Sequence, residues 1–419
     1  MALLTERLPH FHGASLGVWV RAGSRHEMRG EEGYSHFLEH MIFKGTTTRT
    51  AAQIAREIDR AGGEFNAFTT REYTCFHIGL LARDLDLAVD ILADVLLHSR
   101  LSEEDIERER NVVLQEMDMV ADNPEEVLFD AFFEKSLKNH PLGRPILGTP
   151  KVIRAVDHRR LYSYFQRHYA PSRMIVTAAG DLAHGSLIKR LNKALGGRKA
   201  AGPQPKSVGL STARFRPGDL ILRRDVEQAQ VLVGFPALPL AHKDRYILSI
   251  LNLHYGGGMS SRLFQQIREE RGLAYSTYSS FSTFSDCGVQ LAYIGCASKD
   301  ALTATTLAGR EAQRLCDRKL TATELKELKQ SLKNTILINE DSVDGHMMHL
   351  ARAEMFFGHE IKLADVFRGI DAVTAEQIQA MARKVFRPRD LFAAAVVPQG
   401  EKGLSAARLK NAWLAGVRG

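Results

Sequence analysis

Four cysteines are all the 419 residues contain, and Cys75, Cys287, Cys296 and Cys316 form no CxxC pair. That scarcity excludes a cysteine-built zinc ribbon or disulfide framework and fits free thiols in a reducing compartment. No stretch approaches eighteen uninterrupted apolar residues, so no membrane-spanning helix is expected. The opening "MALLTERLPHFHGASLGVWVRAGS" lacks a basic stretch followed by a long apolar one, so no secretory signal is expected and the location reads as cytoplasmic. A Walker-type phosphate loop is missing, and the basic residues are neither clustered nor interleaved with aromatics. The formal charge of +7 therefore reads as a generally basic surface and not as a nucleic-acid footprint.

What is present is an ordinary globular composition, 44% hydrophobic and 25% charged, on a chain long enough for two or three domains. The sequence also repeats itself. "LSEEDIERERNVVLQEMD" (101–118) resembles "LTATELKELKQSLKNTILINED" (320–341), and "VIRAVD" (152–157) is echoed at nearly the same offset by "VFRGID" (366–371). Two matches in the same order point to an internal duplication.

Between the copies lies "GGRKAAGPQPKSVGLSTARFRPGD" (196–219), rich in Gly, Pro, Ser and Lys and without apolar period, which reads as a linker. The expected domains are 1–205 and 206–419. Strand-like segments (14–23, 229–237) mix with helical ones (51–62, 84–97) without a βαβ rhythm. The expected fold is α+β: two homologous domains, each a mixed or antiparallel sheet with helices packed on one face.

The segment "HFLEHMIFKG" (36–45) concentrates the chemistry. At 100° per residue, Tyr34, Phe37, Leu38, Met41 and Ile42 share one helix face, His36, Glu39 and His40 fall opposite, and Gly45 supplies a stop. Histidines at i and i+4 lie about 5–6 Å apart at Cβ, which suits convergence on one zinc ion. Glu39 is placed to act as a base beside it. The alternative is a solvated face with two ordinary histidines, since the motif also arises by chance in a chain of this composition, so the metal reading needs a third ligand.

The helix "SEEDIERERNVVLQEMDMV" (102–120) offers one. Ile106, Val113, Met117 and Val120 form its apolar stripe, with Glu109 and Glu116 along the stripe's edge. A carboxylate held there costs several kcal/mol unless paired or coordinated. A structural salt bridge satisfies that demand as well as a metal does. Beside the two histidines, Glu116 reads as the third ligand and Glu109 as a carboxylate supporting the site. The second copy has no HxxEH and places Thr335 near the Glu116 position, so a metal is expected in the first copy only.

HxxEH with a glutamate this far downstream resembles the inverted zinc motif of the pitrilysin/insulinase peptidases. "GYSHFLEHMIFKGT", "GGEFNAFTTREYT" and "ERNVVLQEMD" are similar to the family's first-domain signatures. "GGGMSSRLFQQIREERGLAYS" (256–276) is similar to the second-domain signature of its short, bacterial processing-peptidase-like members. The resemblance implies one zinc per chain held by His36, His40 and Glu116, with Glu39 as general base and Glu109 in support. It implies that Arg268 and Tyr275 contact substrate and assist the oxyanion. On their own these two read as a helix-end cation and a strand residue. It implies also that Asn66, Ala67 and Phe68 lie on an edge strand to which a peptide is added as a further strand.

Longer relatives close four related domains around a chamber, and the two domains here correspond to half of such a clamshell. The resemblance therefore implies an endopeptidase for short or unfolded peptides, working as a homodimer or as a heterodimer with a paralogue. A non-catalytic or partner-dependent peptide-binding subunit is the alternative, although such members typically lose motif residues that this chain keeps.

Overall fold

The computed structural model describes residues 1–195 and 212–418. They form two compact units, one built from 1–118, 144–195 and 338–360, the other from 119–143, 212–337 and 361–418. The cut expected near residue 205 lies outside the described residues, as does the expected linker up to residue 211.

The first unit holds a five-stranded sheet of β1 (Ala2–Arg7), β2 (Gly13–Val20), β3 (Glu64–Thr69), β4 (Thr74–Leu81) and β5 (Met174–Gly180). Its order is β1-β5-β2-β4-β3, with β1 and β5 parallel and the other pairs antiparallel. The second unit repeats the plan with β6 (Gly218–Arg224), β7 (Ala229–Ala237), β8 (Ala274–Thr283), β9 (Gly288–Cys296) and β10 (Phe392–Pro398). Its order is β6-β10-β7-β9-β8, again with one parallel pair, β6 and β10. Strand for strand the two sheets coincide, which is the duplication seen in the sequence.

Helices α1 (Tyr34–Ile42), α2 (Ala51–Arg60), α3 (Leu85–His98) and α4 (Glu103–Asp122) follow the expected periodicities. Phe37, Leu38, Met41 and Ile42 of α1 join Ile91, Leu92 and Val95 of α3 and Val18, Val20, Phe76 and Ile78 of the sheet in the main core. Pro124 ends α4, because the residue before a proline is driven out of the helical region. Asn123 is extended there, and its side chain caps α5 (Pro124–Ser136) by accepting the Glu125 and Glu126 amides.

On the other face of each sheet lies one further helix, contributed by the opposite half of the chain. In the second unit α5 packs Leu128, Phe132 and Phe133 against Leu232, Leu291, Phe392 and Val396. In the first, the helix Val343–Phe356 packs Met347 and Ala351 against Trp19, Cys75 and Ile175. Each donor follows the long helix of its own copy, α4 or Ala322–Asn339, so the exchange is reciprocal.

Glycines make room for both. A Cβ at Gly17 would meet Met347 Sδ at 2.5 Å, and one at Gly234 would meet Phe132 Cζ at 2.2 Å. Among the described residues no helix is long and apolar enough to cross a membrane.

Candidate metal centre and its base

The helix that carries the motif starts without a side-chain cap. Its N-cap is Gly33, at φ +97°, and a Cβ there would meet the Leu147 carbonyl oxygen at 2.4 Å. The orphaned first-turn amides are taken instead by Glu27, which accepts Ser35 N–H at 2.8 Å and Gly33 N–H at 2.9 Å. Glu27 is buried, and that burial, against the two amide bonds, pushes its carboxyl up to about 7. Ser35 also bonds the buried Tyr164 hydroxyl at 2.7 Å. The start of α1 is thus fixed from two sides.

From this base α1 presents His36, Glu39 and His40, and α4 lies over them. His36 is buried at 8% exposure, so the face read from the periodicity as turned away from the packing is covered by the second helix. His36 Nε2 stands 3.6 Å from one Glu116 oxygen, and His40 Nε2 stands 3.4 Å from the other. One ligand atom from each of these three residues lies within 4.8 Å of the other two. This is the sole such group among the described residues, and the second unit has none.

These separations fit zinc better than direct hydrogen bonds. An N–H···O bond is ordinarily about 2.7–3.2 Å. Two ligand atoms each about 2.0–2.2 Å from a tetrahedral ion are about 3.4 Å apart. Two imidazoles and one carboxylate also leave a fourth position free, as catalytic zinc sites do.

The protonation states are set by the surroundings. Burial first, then the charge of His40, pushes His36 down to about 4 against the pull of Glu116. His36 is therefore neutral, as a metal ligand must be. Burial also works to lower His40, but the neighbouring carboxylates of Glu116 and Glu109 outweigh it and raise the imidazole above its ordinary value. The contact with His40 holds Glu116 low against its burial.

Glu109, one helical stripe from Glu116, is buried and touches His40 Nδ1 at 3.2 Å. With Nε2 turned to Glu116, Nδ1 carries the proton and donates it. Lys44 Nζ reaches the other Glu109 oxygen at 2.7 Å, so the buried carboxylate has an ammonium partner beside the imidazole. Lys44 lies one turn beyond His40 inside the quoted motif, a spacing that marks it as a neighbour on the same face.

Glu39 is half-buried beside this group. Burial raises its carboxyl above the usual range, opposed by a hydrogen bond from Thr69 and by the charge of His40. Thr69 Oγ1 donates to Glu39 Oε2 at 2.5 Å. Thr69 stands at the end of β3, inside the segment "EFNAFTT", where no periodicity or motif singles it out. β3 is an edge strand, as expected for Asn66, Ala67 and Phe68. The Ala67 amide is taken by the Asn66 side chain at 2.8 Å.

Arg268 and Tyr275 belong to the second unit. Arg268 is on a π-helical turn, Phe264–Glu269, and its guanidinium stacks on Phe264 at 4.9 Å and on Tyr275 at 5.3 Å. Tyr275 is the second residue of β8, an edge strand of the second sheet, and is 78% exposed.

Residues 2–150 match the family model described as insulinase (peptidase family M16), and 155–332 match the peptidase M16 inactive domain. A protein of Mycobacterium leprae named an uncharacterized zinc protease is 39% identical over 95% of this chain and 89% of its own length. One of Bacillus subtilis, YmxG, named in the same way, is 35% identical over 95% of this chain and 96% of its own. The chain belongs to the insulinase family of zinc peptidases, M16.

Solved structures share the fold. A protease from Helicobacter pylori superposes with a TM-score of 0.87 at 22% identity, covering 94% of this chain and 97% of its own. A chain of complex III2 from Candida albicans gives 0.84 at 18% identity, covering 98% and 97%.

Proposed function

We propose that this chain is a zinc-dependent endopeptidase that cleaves short or unfolded peptides. The observation that carries the reading is the convergence of His36, His40 and Glu116 at ligand spacing beside the half-buried Glu39 carboxyl. Membership of the M16 family and the zinc-protease names of its relatives support it.

A zinc ion bound by His36, His40 and Glu116, one per chain, supplies polarisation of a peptide carbonyl and acidification of water. Glu39 takes the proton of the attacking water and returns it to the leaving amine. A pKa raised by burial above the usual carboxylate range suits it both to take and to return a proton. Glu109, held by Lys44, fixes the ring of His40.

The free edge of β3 receives the peptide as an added strand along Asn66, Ala67 and Phe68. Arg268 and Tyr275 donate to the negative charge that develops on the carbonyl oxygen. Two copies associate as a homodimer, each site taking its metal half from one subunit and Arg268 and Tyr275 from the other. Both sets of residues are kept on this one chain, which supports the homodimer over a heterodimer with a paralogue.

The test is cleavage of an internally quenched peptide, with products read by mass spectrometry, before and after chelation and zinc restoration. Internal cleavage that stops on chelation and returns with zinc is the expected result. A fully zinc-loaded chain that binds peptide and leaves it intact contradicts the proposal and makes the chain a non-catalytic binding subunit.

A further inference from the structure

We infer that Thr69 is the positioning residue of the catalytic base, tying Glu39 to the same strand that receives the peptide. The inference rests on the reading of Glu39 as that base and goes beyond it.

Along β3 the side chains alternate between the two faces of the sheet. Phe65, Ala67 and Thr69 share the face toward α1: Phe65 stacks on Phe43 at 4.5 Å, just past the end of that helix, and Thr69 reaches Glu39. The Thr69 hydroxyl is the one side chain among the described residues that donates a hydrogen bond to the Glu39 carboxylate.

The direction of that bond follows from its neighbours. Thr69 Oγ1 also lies 3.3 Å from Thr74 Oγ1. Thr74 has a single hydroxyl proton and gives it to the Ala22 carbonyl at 2.9 Å. Towards Thr69 it can only accept, so the Thr69 proton has two acceptors. The closer, at 2.5 Å against 3.3 Å, is the carboxylate. A donor to an ionised oxygen makes one of the stronger hydrogen bonds a side chain can form. It holds Oε2 and leaves Oε1 free to take a proton.

A glutamate has three rotatable side-chain bonds, and its position in α1 restricts only the first of them. The bond from Thr69 removes that freedom at the carboxylate. It also relates the base to β3 and not only to the metal ligands. A peptide laid along β3 and the base that serves it then share one frame, so the carboxylate meets the bond to be cut in one register. Displacing such a group by about 1 Å can cost about a hundredfold in rate without weakening binding.

Thr69→Val keeps the branched shape a strand prefers and removes the hydroxyl, while Thr69→Ser keeps the hydroxyl. With zinc content and thermal unfolding equal to the native chain, Thr69→Val is expected to lose roughly ten- to a hundredfold in kcat with KM unchanged, and Thr69→Ser to recover most of it. A crystal structure of zinc-free Thr69→Val is expected to show Glu39 in another rotamer or in several. Native activity in Thr69→Val, or an unmoved Glu39 in that structure, overturns the inference while leaving the peptidase reading in place. An inactive native chain defeats the peptidase reading itself.

Discussion

Glu27 accepts the Ser35 amide at 2.8 Å and thereby does for the motif helix what its glycine N-cap cannot. Removing the carboxylate leaves two first-turn amides without partners. Glu27→Ala is expected to lower the stability of the zinc-free chain by about 1–3 kcal/mol in urea titrations, and Glu27→Gln, which keeps one acceptor, by less. A loss no larger than that of a surface substitution contradicts the cap.

The same residue carries a pH dependence of known sign. Its carboxyl stands at about 7 in the folded chain against an ordinary 4.5. Between these values the folded state binds the extra proton. The contribution is complete below pH 4.5 and is lost as pH rises to 7. Glu27→Gln therefore removes a fall in stability across that window.

His168 has the opposite sign. Burial first, then Arg167, Arg173 and His26, pushes its imidazole down to about 3. Arg167 Nε donates to its Nε2 at 3.2 Å, which requires that nitrogen to be unprotonated. Its contribution is present above the ordinary 6.5 and lost as pH falls through the window towards 3. His168→Gln, which cannot charge, is expected to lose less stability than the native chain between pH 7.5 and 5. Equal urea midpoint shifts in the two chains contradict this.

Lys44 is the second partner of the buried Glu109. Lys44→Met leaves that carboxylate with His40 alone, and loss of such outer support typically costs about 10–100-fold in metal affinity. Competition with a chromophoric chelator is expected to show a fall of that size. Unchanged affinity removes Lys44 from the account of the site.

Gly17 and Gly234 make room for the exchanged helices against different partners. Alanine at Gly234 meets a phenylalanine ring, while alanine at Gly17 meets chiefly the flexible end of Met347. Both substitutions overpack, at about 1–3 kcal/mol. Gly234→Ala is expected to be the more damaging by thermal unfolding, because the ring of Phe132 cannot bend away. The reverse order contradicts the packing described.

Much of this was legible in the sequence, for identifiable reasons. The β-branched and apolar run bounded by turn formers marked β7 at its observed ends, and helical spacing put His36 and His40 on one face of α1. Glu116 was singled out by its place at the edge of an apolar stripe and by the family resemblance. The exchange of α5 and Val343–Phe356 was not legible, because their apolar stripes say that a helix is buried without saying on which sheet. Thr69 and Glu27 were silent for a related reason. Each acts on a residue distant along the chain or through a backbone amide, and neither contact leaves a periodic trace.

The measurement that tests the central claim most directly is zinc content beside peptide cleavage, for the native chain and Glu39→Gln. The account predicts one zinc per chain in both, with cleavage lost in the variant by at least a hundredfold, roughly the least that general-base catalysis contributes. Absence of zinc from the native chain, or undiminished cleavage by Glu39→Gln, would contradict it.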